Sequence, residues 1–300
     1  MAFYRSDPEM KAQLEELLDQ FAKKGRPGLH KYISISWIRY QSPTPEPLSG
    51  IGAGWLDQKL IYPASVVKLI YAVAVEAWLQ KDLLIETSEL KRAVKDMISH
   101  SSNDATSFVL DLLSGTTSGP CLFGERWDSW QKQRRLINDW LDTLQWPELK
   151  GMNCCQKTWE DGPYGREQDF YKDGCVNRNA LSTLATARVL EAVMTNGIIS
   201  PPACKKLRTI LSRSLDEKQR KEDPENQIDG FIGEGLPKGT RLWSKAGWMS
   251  QARHDAAWFC QPQGNPMLLV VFSHGRQSSN DTFLLPALAR ELIKIHATNN

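Results

Sequence analysis

The sequence predicts an α+β fold: an antiparallel sheet flanked by the terminal helices, joined to an all-helical lobe. Three observations predict it. A helix and a strand lead the chain, a helical block fills the middle, and the last third turns to strands with a closing helix. With 300 residues, 41% of them hydrophobic and 24% charged, the chain can bury one large core or two closely joined lobes. We expect a single domain over residues 1–300, with a sheet lobe from about 1–60 and 238–300 and a helical lobe from about 61–237.

The opening stretch, MAFYRSDPEMKAQLEELLDQFAKKG, reads as an amphipathic surface helix with Leu14, Leu17, Leu18 and Phe21 on one side. It shows no apolar run and no small-residue cleavage site, so as written it is no signal peptide. The expected location is cytoplasmic as the chain stands, or periplasmic if its start has been trimmed. Lys31 to Tyr40, rich in β-branched and aromatic residues, reads as a strand, and Gln41 to Gly54 as turns. Ser65 opens an apolar helix running to about Gln80. Its apolar run from Leu69 to Leu79 is broken by Glu76 and reaches only half of the ~20 residues a membrane span needs, so we expect a core helix.

Ser88 reads as the N-cap of a second helix, ELKRAVKDMI, and Asn103 to Leu113 as a third. From Ser114 to Cys175 the pattern weakens to one amphipathic helix around Trp130 to Leu144 and a long loop after Pro147. Helices return over Ser182 to Met194 and Pro201 to Ser212. A polar, mobile-looking stretch, SLDEKQRKEDPENQ, follows. Strands are expected over Thr240 to Lys245, His254 to Cys260 and Met267 to Ser273, then a helix from about Thr282 to His296.

Thirty-seven Lys and Arg against 35 Asp and Glu leave a charge of +2, too little to argue for nucleic acid or a membrane surface. The expected partner is a small molecule or peptide, and a monomer is favoured. Cys121, Cys154, Cys155, Cys175, Cys204 and Cys260 form no CxxC and read as buried or idle thiols, with no bridge expected between Cys154 and Cys155. His30, His100, His254, His274 and His296 lack HExxH spacing, so neither metal nor cofactor is expected.

Three short motifs carry chemistry: Ser65-Val-Val-Lys68, Ser101-Ser-Asn103 and Lys245-Ala-Gly247. A serine hydroxyl is a weak nucleophile until a neighbour takes its proton, and a lysine can do so only when desolvation or other cations lower its pKa. Positions i and i+3 of a helix set Lys68 beside Ser65, against an apolar wall of Val66, Val67, Leu69 and Ile70. At a helix N-terminus Ser65 would also meet free N–H groups that favour developing negative charge.

The order of these motifs resembles the SxxK, SDN and KTG signature of class A β-lactamases and penicillin-binding proteins. The stretches YPASVVK, MISHSSNDAT, GLPKGTRLWSKAGW, RHDAAWF and NRNALSTLATARVLEAV are similar to theirs too. The resemblance covers roughly Lys31 to the C-terminus. It implies one catalytic domain of the β-lactamase and transpeptidase-like fold, with Ser65 in the groove between the lobes, and a β-lactam or peptidoglycan-like substrate.

It further implies that Ser65 is acylated, that Lys68 helps to activate it, and that Ser101 passes a proton to the leaving nitrogen. Asn103 would orient substrate and lysine. Lys245, Ala246 and Gly247 would line the cleft, the lysine attracting a substrate carboxylate, and the Trp248 amide would be the second oxyanion donor. Arg253 is a candidate to supplement carboxylate binding, and His100 borders Ser101.

Three departures stand out. Ser102 replaces the middle residue of SDN. Ala246 replaces the threonine of KTG, a lost hydrogen bond worth about 0.5–1.5 kcal/mol, for which Ser244 or Ser250 could compensate. In the loop whose glutamate activates the deacylating water, Glu160 follows Trp159, but Tyr164 stands where ExxxN has Asn; Glu167 is a second candidate. The implied activity is hydrolysis through an acyl-enzyme. The alternatives are a D-alanyl peptidase, amidase or esterase of the same fold, or a sensor that stays acylated.

Overall fold

The computed structural model describes residues 3–172, 174, 176–223 and 225–298. Seven strands form one sheet: β1 (Tyr4–Ser6), β2 (Ile33–Arg39), β3 (Gly50–Trp55), β4 (Ser212–Arg213), β5 (Arg241–Met249), β6 (Ala252–Cys260) and β7 (Pro266–His274). Their spatial order is β1-β3-β2-β7-β6-β5-β4. The fold class is α+β as predicted, but the sheet is mixed: β1 lies parallel to β3, and the other pairs are antiparallel.

Both faces of the sheet are covered, so its central strands are apolar throughout, yet their side chains still divide with period two. Leu268, Val270 and Phe272 of β7 join the helices of the middle block, while Met267, Leu269 and Val271 join the terminal helices Pro8–Lys23 and Leu284–Thr298. The flanking terminal helices are thus where the sequence put them. The first begins at Pro8 behind an Asp7 cap and buries Met10 together with Leu14, Leu17, Leu18 and Phe21, so it is a core-facing helix.

Four element predictions need correction. β3 lies in the stretch read as turns, because Gly50, Gly52 and Gly54 disguise a strand; at Gly52 a Cβ would come 2.4 Å from Trp37 O of β2, so only glycine fits that approach. The Ser65 helix starts with a 3₁₀ turn, Ala64–Val66, and continues as Val67–Gln80. Thr87, not Ser88, caps the Ser88–Ser99 helix, accepting from Leu90 N. The helix expected over Trp130 to Leu144 is two, Glu125–Arg134 and Leu136–Thr143, broken at Arg135.

Two parts of residues 61–237 pack with the sheet: Arg213 and Ser212 edge it as β4, and Ile228, Phe231 and Ile232 sit in the terminal-helix core. The polar stretch before them holds a short helix, Glu217–Glu222. Cys154, Cys155, Cys204 and Cys260 are buried free thiols and Cys121 is exposed, whereas Cys175 falls outside the described residues. Among the described residues no helix is long and apolar enough to cross a membrane.

Candidate active site

Ser65 lies in the 3₁₀ turn that leads into a deeply buried helix, Val67–Gln80, and is partly exposed while Val66 to Ile70 are buried. Ala64 before it is held at φ +47°, a conformation that an L-residue keeps only when its surroundings enforce it. β5 supplies that enforcement. A Cβ on Gly247 would stand 2.9 Å from Ser65 N and 3.0 Å from Pro63 O, so glycine is what lets the strand come against the turn.

Lys68 is buried one helical turn from Ser65. Its ammonium donates to Ser101 O, to Ser101 Oγ at 3.2 Å and to Asn103 Oδ1 at 2.8 Å. Lys245 approaches the same Ser101 Oγ from β5, at 3.0 Å. One hydroxyl therefore links two amines. Burial pulls Lys68 down to about 7, the charge of Glu160 opposing the shift. Lys245 is lowered well below the usual range, first by burial and then by the neighbouring Lys68 and Arg213 cations.

The segment carrying Ser101 and Asn103 owes its shape to local chemistry. Ser101 sits at φ +57°, and Ser102 Oγ caps the Asn103–Ser114 helix by accepting from Ala105 N at 3.1 Å. Capping is a task that serine performs about as well as aspartate, which accounts for Ser102 in the SDN triplet.

Gln227 and Arg213, which sequence reasoning did not single out, tie this segment to β5. Gln227 Oε1 accepts from Lys245 Nζ at 2.5 Å and Ala246 N at 3.2 Å, while its Nε2 donates to Ile98 O and Ser99 O, both at 2.9 Å. Arg213 donates to the same two carbonyls and to Ser244 O; burial holds its guanidinium down to about 10. Gln227 ends the stretch read as mobile and polar, and no local pattern marks it.

His254, opposite Gly247 on β6, supports the turn from below. Its Nδ1 accepts from Ser273 N at 3.0 Å, so the ring proton is on Nε2, which donates to Tyr62 O at 3.0 Å. Burial holds this imidazole down to about 4, keeping it neutral in that tautomer. Beside it burial raises Asp255 to about 7; Oδ2 accepts from Ile232 N, and buried Oδ1 has no hydrogen-bond partner among the described residues.

The loop after Pro147 is closed at its base by the Asn153 and Ala180 bridge. The two glutamates expected there as alternatives differ. Glu167 is buried: Arg134 donates to it, Ser118 Oγ donates at 2.9 Å, and Lys157 Nζ is 3.8 Å away. It is an anchor of the loop, which corrects its candidacy. Glu160 is exposed, with its charge acting on Lys68. Tyr164, where the family pattern has Asn, points its ring to solvent. Trp130 packs with Cys155 and Phe170 in a small core beneath the loop.

Removing Glu167 leaves Arg134 charged and buried, with Asp111, 3.5 Å away, as its remaining carboxylate. Glu167→Ala is expected to lower stability by about 3–5 kcal/mol in urea unfolding, the usual result of breaking a buried ion pair from one side. An unchanged midpoint would mean that the loop is held without it.

Arg253 is held by main-chain carbonyls. Its guanidinium is buried, with Nε donating to Ser279 O at 2.9 Å and Nη1 to Gly230 O at 3.4 Å, so it pins β6 to neighbouring loops. Ala246 is buried against the terminal-helix core. Ser244 Oγ is buried without a hydrogen-bond partner among the described residues, and Ser250 lies in the exposed turn. Trp248 is 58% exposed, with its Nε1 donating to Ser279 O. His100 turns toward Asp96, 3.5 Å away.

The molecule has the fold of the β-lactamases. A β-lactamase from Chitinophaga pinensis superposes with a TM-score of 0.65 at 16% identity, over 96% of this chain and 100% of that one. One from Sphaerobacter thermophilus gives 0.57 at 18%, over 87% and 92%. PBP-A, in a variant described as an acyl-enzyme complex with penicillin G, gives 0.63 at 14%, over 98% of each chain. No curated protein matches by sequence. This chain belongs to the β-lactamase enzyme family, whose model matches residues 56–295.

Proposed function

We propose that the protein is a serine hydrolase that forms an acyl-enzyme on Ser65 with a β-lactam or related amide or ester, then hydrolyses it. The observation that carries this reading is the bridge Lys68 Nζ, Ser101 Oγ and Lys245 Nζ next to Ser65. Ser65 Oγ attacks the carbonyl carbon as its proton passes to neutral Lys68. The oxyanion is met by main-chain N–H groups at Ser65 and Trp248. As the carbon–nitrogen bond breaks, the leaving nitrogen takes a proton from Ser101 Oγ, which the lysines replenish. Asn103 holds Lys68 in place, and a water deprotonated by Glu160 then attacks the ester, freeing the acid and restoring Ser65 Oγ–H.

The PBP-A acyl-enzyme with penicillin G is consistent with this chemistry on the fold. The test is intact-mass spectrometry of the protein after brief exposure to a penicillin and a cephalosporin, with adducts mapped to peptides and product followed in the same tube. The expected result is a transient adduct on Ser65 accompanied by product. A lasting adduct without product would favour the sensor, and an adduct elsewhere would defeat the assignment.

A further inference from the structure

Gln227 enters the site from the segment between the Glu217–Glu222 helix and β5, and its amide can point only one way. Nε2 lies 2.9 Å from both Ile98 O and Ser99 O, which accept a hydrogen bond and offer none, while Oε1 faces the Ala246 N–H at 3.2 Å. Exchanging nitrogen and oxygen would set an N–H against an N–H and an oxygen against two carbonyls, so Oε1 is fixed as an acceptor. That oxygen also receives Lys245 Nζ, at 2.5 Å. Both side chains are buried, so a bond lost between them leaves a polar group unmet.

The consequence falls on Lys245. Besides Gln227 Oε1, its amine meets Ala246 O at 2.7 Å and Ser101 Oγ at 3.0 Å. The amide and main-chain oxygens can only accept, whereas the hydroxyl can accept or donate. As an ammonium, Lys245 gives one proton to each of the three. As a neutral amine it keeps its two protons on the fixed acceptors and turns its lone pair to Ser101 Oγ. In either state the place where its third proton comes and goes faces Ser101. On the other side, Ser101 O and Asn103 Oδ1 hold Lys68 to the same hydroxyl.

We propose that Gln227 is a positioning residue which, acting through Lys245, keeps Ser101 supplied with the proton that the leaving nitrogen takes. This rests on the acyl-enzyme reading above. As the carbon–nitrogen bond breaks, Ser101 Oγ gives its proton to the nitrogen, and the Lys245 ammonium returns one to Ser101 Oγ and is left neutral. The proton that Lys68 drew from Ser65 then passes through Ser101 Oγ to restore the Lys245 ammonium, so the net transfer is one proton from Ser65 to nitrogen. Burial, together with the Lys68 and Arg213 cations, already lowers Lys245, so its ammonium yields a proton readily. The hold on the helical lobe is not left to Gln227, since Arg213 donates to the same two carbonyls and to Ser244 O. What a guanidinium cannot supply is an acceptor for Lys245.

The experiment follows labelling of Ser65 by penicillin G and by 4-nitrophenyl acetate, by intact mass, in the wild type, Gln227→Met and Gln227→Glu. A lactam nitrogen must be protonated as it leaves, whereas 4-nitrophenolate departs as an anion. Gln227→Met keeps the length of the side chain without its acceptor, and should slow penicillin labelling about 10–100-fold relative to the ester, the worth of a hydrogen bond to a charged group. Gln227→Glu keeps an acceptor for Lys245 and loses the donor to Ile98 O and Ser99 O, so its ratio should stay near that of the wild type. In a Lys245→Ala background Gln227→Met should change the ratio no further, and a further change would overturn the inference. So would equal slowing of both substrates in Gln227→Met, the mark of a structural brace, or a fall in Gln227→Glu as deep as in Gln227→Met. Should Gln227→Met not fold, Gln227→Glu decides: a ratio kept supports the role, and a fall of about tenfold overturns it. A wild type labelled by the ester alone would overturn the inference and leave the acyl-enzyme reading standing; labelling by neither would overturn that reading itself.

Discussion

Ser65→Ala is expected to abolish covalent labelling and to lower product formation on the order of 10⁴-fold or more, since a nucleophile and its base fail together when either is lost. If the variant hydrolysed a chromogenic β-lactam as the wild type does, the proposed chemistry would be wrong. Lys68→Ala keeps the hydroxyl but removes the base, and should slow acylation by about 10²–10⁴-fold. The pH profile separates a base from a packing residue. Lys68 accepts a proton only when neutral, and burial brings its pKa to about 7. Acylation should therefore rise tenfold per unit below about pH 7 and level off above it. A flat profile from pH 5 to 9 would exclude Lys68 as the base that limits the step.

Glu160→Gln should divide the reaction in two. If Glu160 activates the deacylating water, losing its carboxylate slows hydrolysis of the acyl-enzyme by about 10²–10⁴-fold, so the Ser65 adduct accumulates on intact-mass spectra. Its charge also raises the Lys68 pKa against burial. Without that charge the acylation profile should shift to lower pH, and acylation at pH 6 should quicken. An adduct that still turns over at the wild-type rate would remove Glu160 from deacylation. Glu160 is an exposed acid whose charge reaches Lys68, whereas Glu167 is buried and ion-paired.

The site was legible where chemistry is local. SxxK predicts an amine beside a hydroxyl from helix spacing alone; the structure puts Ser65 in the 3₁₀ turn and Lys68 in the first turn of the helix that follows it. Gly247 and Ser102 were singled out only through the motifs; the close approach of β5 that demands glycine at 247 and the cap that Ser102 supplies emerged with the structure. The anchoring of Arg253 on Ser279 O and Gly230 O was not readable, because proximity along a strand says nothing about which carbonyls a guanidinium meets. Gln227 was missed for the matching reason: a glutamine at the end of a charged stretch is indistinguishable from a solvated one until the stretch folds back on Ile98 and Ser99. The strand β3 was lost because its glycines erase the alternation that identifies strands.

The order of helices and strands, the apolar identity of the Val67–Gln80 helix and the three motifs with their residue types followed from the amino-acid sequence by itself, since period and capping are properties of neighbours along the chain. Tertiary structure alone decided which glutamate is anchored and which is open, and which carbonyls the buried arginines meet. It also turned two lysines 177 positions apart toward one hydroxyl. Those outcomes depend on burial and on hydrogen bonds between remote segments, and such contacts leave no repeating trace in the linear order of residues.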